Sequence, residues 1–218
     1  MNAIDRSIAF ILAGLTWGSI TRDTGSVAVA SGATEEVSPP PVLEATPIET
    51  STTSTTVALP PEYVAVSMIG DSVLAGAQAV VENTLENPLV IDATVNRQFK
   101  HADDVAEDLR ANGALGDVVV LHLGTNGAFS SDTFDEVIES LPDVDRVLVL
   151  TAKVPRRWEA SVNRTILEGA ERWPIVEVID WHTISGQHPE WFFEDQVHLN
   201  GTGMRKYAEL LSDAINDQ

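Results

Sequence analysis

Three short stretches of this 218-residue chain hold side chains that could together carry out acyl transfer. Gly70-Asp71-Ser72 offers a hydroxyl, Asp195-Gln196-Val197-His198 a carboxylate and an imidazole, and Gly124-Thr125-Asn126-Gly127 a side-chain amide. A serine hydroxyl is a poor nucleophile until a base takes its proton. A histidine can do this if a carboxylate fixes its tautomer, and one tight turn would set Asp195 beside His198. An amide donor and backbone N–H groups could then hold the oxyanion of the intermediate. Each stretch also has a plainer reading. Asp71 or Ser72 could cap a helix. Asp195 could cap a turn, and Gly-Thr-Asn-Gly is ordinary turn chemistry.

The other histidines fit this chemistry less well. His122 lies inside an apolar run and reads as a satisfied core residue. His101 opens a helix pattern and His182 follows a strand pattern, so both read as surface or capping residues. No further histidine or carboxylate stands at metal-ligand spacing beside Asp195 and His198, so no metal and no cofactor is expected.

These groups need elements that bring them to one place. From Pro61 the chain alternates strand and helix patterns. Strands are predicted at 63–69, 89–93, 117–123, 146–151 and 176–180, and helices at 72–86, 102–112, 132–141, 157–173 and 201–217. YVAVSMI, DVVVLHL and RVLVLT are nearly continuous apolar runs, as expected for strands covered on both faces. Five strand-then-helix repeats predict a flavodoxin-like α/β/α fold, with a parallel sheet in order 2-1-3-4-5 and function at the carboxyl ends of its strands. Ser72 then stands after strand one, at a helix start whose unpartnered N–H groups favour negative charge. No GxGxxG follows the first strand and no GxxxxGK[ST] occurs, which disfavours nucleotide binding.

The amino-terminal part reads differently. Residues 1–30 contain the uncharged run IAFILAGLTWGSI, too short for a membrane span but suited to a signal peptide or an N-terminal anchor. Residues 31–60 hold Pro39-Pro40-Pro41 and a Ser/Thr run, without aromatic or basic residues, and are expected to form a disordered stalk. The layout implies an extracytoplasmic domain, 61–218, secreted or held at the cell envelope. Without cysteine the chain forms neither disulfides nor thiolate metal sites. A formal charge of −20 disfavours nucleic acid as a partner.

Taken in order, the Gly-Asp-Ser, Gly-Thr-Asn and Asp-x-x-His blocks resemble the SGNH (GDSL-type) hydrolase superfamily over about residues 62–216. The wider set is Ile69–Val73, Asp92–Phe99, Leu123–Gly127, Val154–Trp158, Asp180–His182 and His188–Phe192. It resembles the extracytoplasmic SGNH domain attached to bacterial membrane acyltransferases of the acyltransferase-3 type, of which peptidoglycan O-acetyltransferases are the best known. The resemblance implies Ser72 as nucleophile, His198 as general base and acid, and Asp195 as its orienting carboxylate. It implies an oxyanion hole from the N–H of Ser72 and from Asn126. Asn96 stands where the superfamily often has glycine, as a third donor. Arg97, Gln98 and Trp158 are expected at the mouth of the site. The expected substrate is an acylated cell-envelope glycan or a small ester. The multi-span acyl-supplying domain of the resembled proteins has no counterpart in this sequence, so transfer is expected to need a separate membrane partner or a soluble acyl donor, with water the expected acceptor in the absence of either. The competing expectation is a non-catalytic module that binds glycan or protein on the same fold.

Overall fold

The computed structural model describes residues 63–217. The expected signal or anchor segment, 1–30, and the expected stalk, 31–60, lie outside the described residues.

Five parallel strands form one sheet in the order β2-β1-β3-β4-β5. They are β1 (Val66–Gly70), β2 (Leu89–Ala93), β3 (Val118–His122), β4 (Arg146–Leu150) and β5 (Val176–Ile179). Strand order and direction agree with the sequence reading. β1 and β3 are buried at every position, which explains their unbroken apolar character. β2 and β5 are the edges and carry exposed residues.

The pleat divides the core into two halves. On β3, Val118 and Val120 face one apolar cluster, while Val119 and Leu121 face the other. The first cluster is completed by α1 (Ser72–Thr84) and α6 (Gly201–Asn216), through Leu74, Ala77, Val81, Tyr207, Leu211 and Ile215. The second is completed by α2 (Ala102–Ala111), α3 (Ser131–Glu139) and α4 (Glu159–Arg172), through Ala106, Phe134, Ile138 and Ile166.

Three local features depart from the expected boundaries. The first strand begins at Val66 rather than Tyr63 and extends to Gly70. α4 begins at Glu159, because Arg157 and Trp158 belong to the preceding turn. A short helix, α5 (Trp181–Gly186), follows β5 directly, capped by Asp180, whose side chain accepts the N–H of Thr183. Six residues are too few to show helical periodicity, so a helix of this length leaves no clear mark in the sequence.

Candidate active site

The position expected for the nucleophile is built by the β1–α1 junction. Gly70 ends β1 against Leu74; a Cβ there would come within 2.5 Å of the Leu74 side chain, so glycine lets the helix sit close. Asp71 then adopts extended backbone and caps α1, its Oδ1 accepting the N–H of Val73 at 3.0 Å. Its Oδ2 accepts the hydroxyl of Thr125 and, at 3.2 Å, the amide of Asn126. The capping reading therefore holds for Asp71, which also ties the Ser72 turn to the loop after β3. Ser72 is the first helical residue, where its own N–H has no intrahelical acceptor.

The acid–imidazole pair comes from the segment before α6. Phe192 and Leu199 form an antiparallel bridge, and Phe193 N–H donates to the His198 carbonyl at 2.8 Å. The chain between them reverses tightly, with Gln196 in the left-handed region at φ 58°. Asp195 Oδ1 accepts the N–H groups of Val197 and His198, each at 2.9 Å. Its Oδ2 lies 2.7 Å from His198 Nδ1. Asn200 caps α6 by accepting from Thr202 and Gly203, which fixes the far side of the turn. His198 Nε2 lies 3.0 Å from Ser72 Oγ, across 126 positions of sequence.

The electrostatics suit a fixed imidazole. Partial burial of Asp195 opposes its ionisation. The hydrogen bonds from the His198 ring and from the N–H groups of Val197 and His198 outweigh that and hold the carboxyl at about 2. An ionised Asp195 accepting at His198 Nδ1–H leaves Nε2 as the acceptor facing Ser72.

A cavity of about 360 Å³ opens over this group. It is lined by Ser72, Asn96, Asn126, Trp158, Asp195 and His198 among the expected residues. Val95, Thr125, Val154, Arg156 and Val197 complete it and were not expected. Asn96 has φ 66°, a conformation asparagine tolerates better than most side chains, which accounts for its standing where glycine is common. The Asn126 amide contacts Thr125 Oγ1, Asp71 Oδ2 and the Arg97 carbonyl at 3.1–3.3 Å. Gly124, at φ 123°, makes the turn that brings this amide to the cavity.

Two residues expected at the mouth sit elsewhere. Arg97 turns inward: its guanidinium donates to the carbonyls of Gly70 and Asp92 and to the Asp92 carboxylate, with 10% of the side chain exposed. Reaching the carbonyls at the ends of both β1 and β2, it staples the two strands. Gln98 donates to the Asn126 carbonyl at 3.2 Å and braces that loop from behind. Trp158 does line the cavity, its ring fixed by an N–H to the Gly124 carbonyl at 3.2 Å.

The remaining histidines divide further than expected. His122 is fully buried, with Nδ1 2.8 Å from the Tyr207 hydroxyl, but its Nε2 has no partner among the described residues. It is a core residue only half satisfied. Burial holds its pKa below the usual imidazole value against the pull of the Asp71 charge. Burial likewise pushes the Tyr207 hydroxyl well up, with the Asp71 charge adding to it. His182 bonds Glu159 at 3.0 Å, and Glu159 also accepts the N–H of Val154. This pair braces the β4–α4 loop. No local sequence pattern links Glu159 to His182, which explains why it was not foreseen.

No family model matches the chain. Several curated proteins are similar, among them two O-acetyltransferases. The peptidoglycan O-acetyltransferase OatA of Listeria monocytogenes is 32% identical over 148 residues, covering 68% of this chain and 23% of that protein. The O-acetyltransferase OatA of Staphylococcus aureus is 36% identical over 145 residues, covering 66% of this chain and 24% of that protein. The chain thus spans just under a quarter of the length of these relatives. Among solved structures, the C-terminal catalytic domain of peptidoglycan O-acetyltransferase A from Streptococcus pneumoniae, carrying a methylsulfonyl adduct, superposes with a TM-score of 0.63 at 25% identity, covering 70% of this chain and 93% of that one. A member of the lipolytic G-D-S-L family from Veillonella parvula shares the fold, with a TM-score of 0.57 at 19% identity and coverage of 70% and 98%.

Proposed function

We propose, from the premise that the described domain has the SGNH/GDSL hydrolase fold, that this chain is a serine-dependent acyl-ester enzyme acting on O-acyl groups of a cell-envelope glycan. The observation that carries the reading is the continuous Asp195–His198–Ser72 chain of hydrogen bonds, 2.7 and 3.0 Å long, at an open cavity.

In this mechanism Ser72 Oγ attacks the ester carbonyl as its proton passes to His198 Nε2. The carbonyl oxygen gains the charge and is held by the N–H groups of Ser72 and Asn96 and by the Asn126 amide. For this, Asn126 exchanges its 3.3 Å contact with the Arg97 carbonyl for the substrate oxygen. Asp195 stays ionised and stabilises the imidazolium. Collapse breaks the ester C–O bond, and His198 returns the proton to the departing alcohol. The acyl group is now on Ser72. Water, or a sugar hydroxyl, gives its proton to His198, attacks the acyl-enzyme and releases acid or a new ester.

Acetyl is the acyl group favoured, because the similar proteins are named O-acetyltransferases. Peptidoglycan in the names of the Listeria monocytogenes relative and the Streptococcus pneumoniae domain favours an extracytoplasmic place of action, at the cell envelope or secreted. Net transfer in place of hydrolysis would need an acyl donor, such as a separate membrane protein.

The test is turnover of p-nitrophenyl acetate by the wild type and by Ser72→Ala. The reading requires loss of turnover with the fold intact by circular dichroism. Undiminished turnover by the variant would exclude Ser72 as nucleophile.

A further inference from the structure

The β4–α4 loop, Lys153-Val154-Pro155-Arg156-Arg157-Trp158, concentrates basic residues beside the site of a chain whose net charge is −20. Its backbone is well held. Asn163 bonds both the N–H and the carbonyl of Ala152, at 2.7 and 2.9 Å. Glu159 takes the N–H of Val154 at 2.5 Å, and the ring of Trp158 is tied to Gly124. The loop is therefore fixed relative to Ser72 and His198.

Arg156 is the one arginine or lysine among the described residues that lines the cavity. Its pairing sets it apart. Arg97, Arg110, Arg146, Arg164 and Arg172 each have a carboxylate within 4 Å, at 2.6, 2.6, 2.8, 3.9 and 2.8 Å. Among the described residues Arg156 has none; its guanidinium has only the Pro155 carbonyl, at 3.4 Å. Arg157 and Arg205 also lack an ion pair among the described residues, but neither lines the cavity. The acid that shares the cavity, Asp195, is already engaged by His198 and two N–H groups.

A guanidinium is charged at every working pH and presents a planar fork that matches a carboxylate. The field of a strongly acidic protein repels anions, so an anionic substrate needs a local cation at the point of docking. We infer that Arg156 is a specificity-determining residue that binds a carboxylate on the acyl-ester substrate, so that the preferred substrate class is an anionic O-acylated glycan rather than a neutral one. The inference rests on the proposed role of Ser72. A glycan bearing uronic, lactyl or peptide carboxylates has the required chemistry.

The test compares 4-acetoxybenzoate with its neutral methyl ester, in wild type, Arg156→Gln and Arg156→Lys. The readout is the ratio of kcat/KM, anionic over neutral, which cancels general effects on catalysis. Arg156→Gln should lower this ratio about fivefold, as for a solvent-facing charged hydrogen bond, with Arg156→Lys between. Added salt should compress the ratio in the wild type more than in Arg156→Gln. An unchanged ratio in Arg156→Gln overturns the inference, as does an equal fall for both esters. A second readout does not depend on turnover: 4-hydroxybenzoate, titrated by NMR, should bind wild type more tightly than Arg156→Gln. Equal binding overturns the carboxylate site even if Ser72 proves catalytic. A difference in binding upholds the carboxylate site even if neither ester turns over, the result that would count against the Ser72 reading alone.

Discussion

His198 and His122 sit at opposite ends of the same structural argument. His198 is half exposed, and both ring nitrogens are engaged, one by Asp195 and one by Ser72. His122 is fully buried, and one ring nitrogen has no partner among the described residues. Both are imidazoles near the carboxyl ends of central strands, and each feels a carboxylate. The difference is geometric. Asp195 reaches His198 by a hydrogen bond, whereas Asp71 spends its oxygens on Val73, Thr125 and Asn126 and acts on His122 only through space. One arrangement leaves Nε2 facing Ser72, as the proposed base requires; in the other, burial disfavours the charged ring.

The largest effect that would break this comparison is on rate. Replacing His198 with alanine should lower ester turnover by about 10³-fold or more, since the serine loses its base. His122→Phe should reduce turnover far less, and similar losses in the two variants would erase the distinction. Next comes Asn126→Ala, expected to lower kcat about 10²- to 10³-fold with a smaller change in KM, as for loss of an oxyanion donor. A change in KM alone would place Asn126 in ground-state binding.

Smaller effects lie in stability against pH. The folded pKa of His122 is lowered by burial, so below the ordinary imidazole range the unfolded chain binds a proton that the folded chain refuses. Its contribution is complete above that range and is lost as pH falls through it. Urea midpoints should decline from neutral toward mildly acid pH, and His122→Phe should flatten that slope. The smallest effect belongs to Asp195, held at about 2 against an ordinary 3.8. Its stabilisation is present above 3.8 and is lost as pH falls toward 2. Thermal melts of Asp195→Asn should lack that part of the acid loss.

The two histidines also mark where sequence was informative. Asp195 and His198 share one tight turn, so their pairing is local and can be read from spacing alone. The parallel order of the sheet follows from strand–helix alternation and from the buried runs VSMIG and VVVLH. Bringing Ser72 to that turn depends only on the sheet order and on α6 packing against α1, which their apolar faces dictate. Other features were illegible because they join positions distant in sequence. The inward turn of Arg97 depends on the carbonyl of Gly70, 27 residues away. The Glu159–His182 brace spans 23 residues, and the orphaned nitrogen of His122 depends on Tyr207, 85 residues on, claiming the other. Arg156 lies within the Val154–Trp158 block, but its lack of a carboxylate partner among the described residues depends on where acids distant in sequence are placed.

The most direct test of the central claim is covalent. A fluorophosphonate probe, followed by peptide mass spectrometry, should modify the native protein at Ser72, with labelling abolished in His198→Ala. Absence of adduct on Ser72 in the native protein, or equal labelling with and without His198, would contradict an imidazole-activated serine.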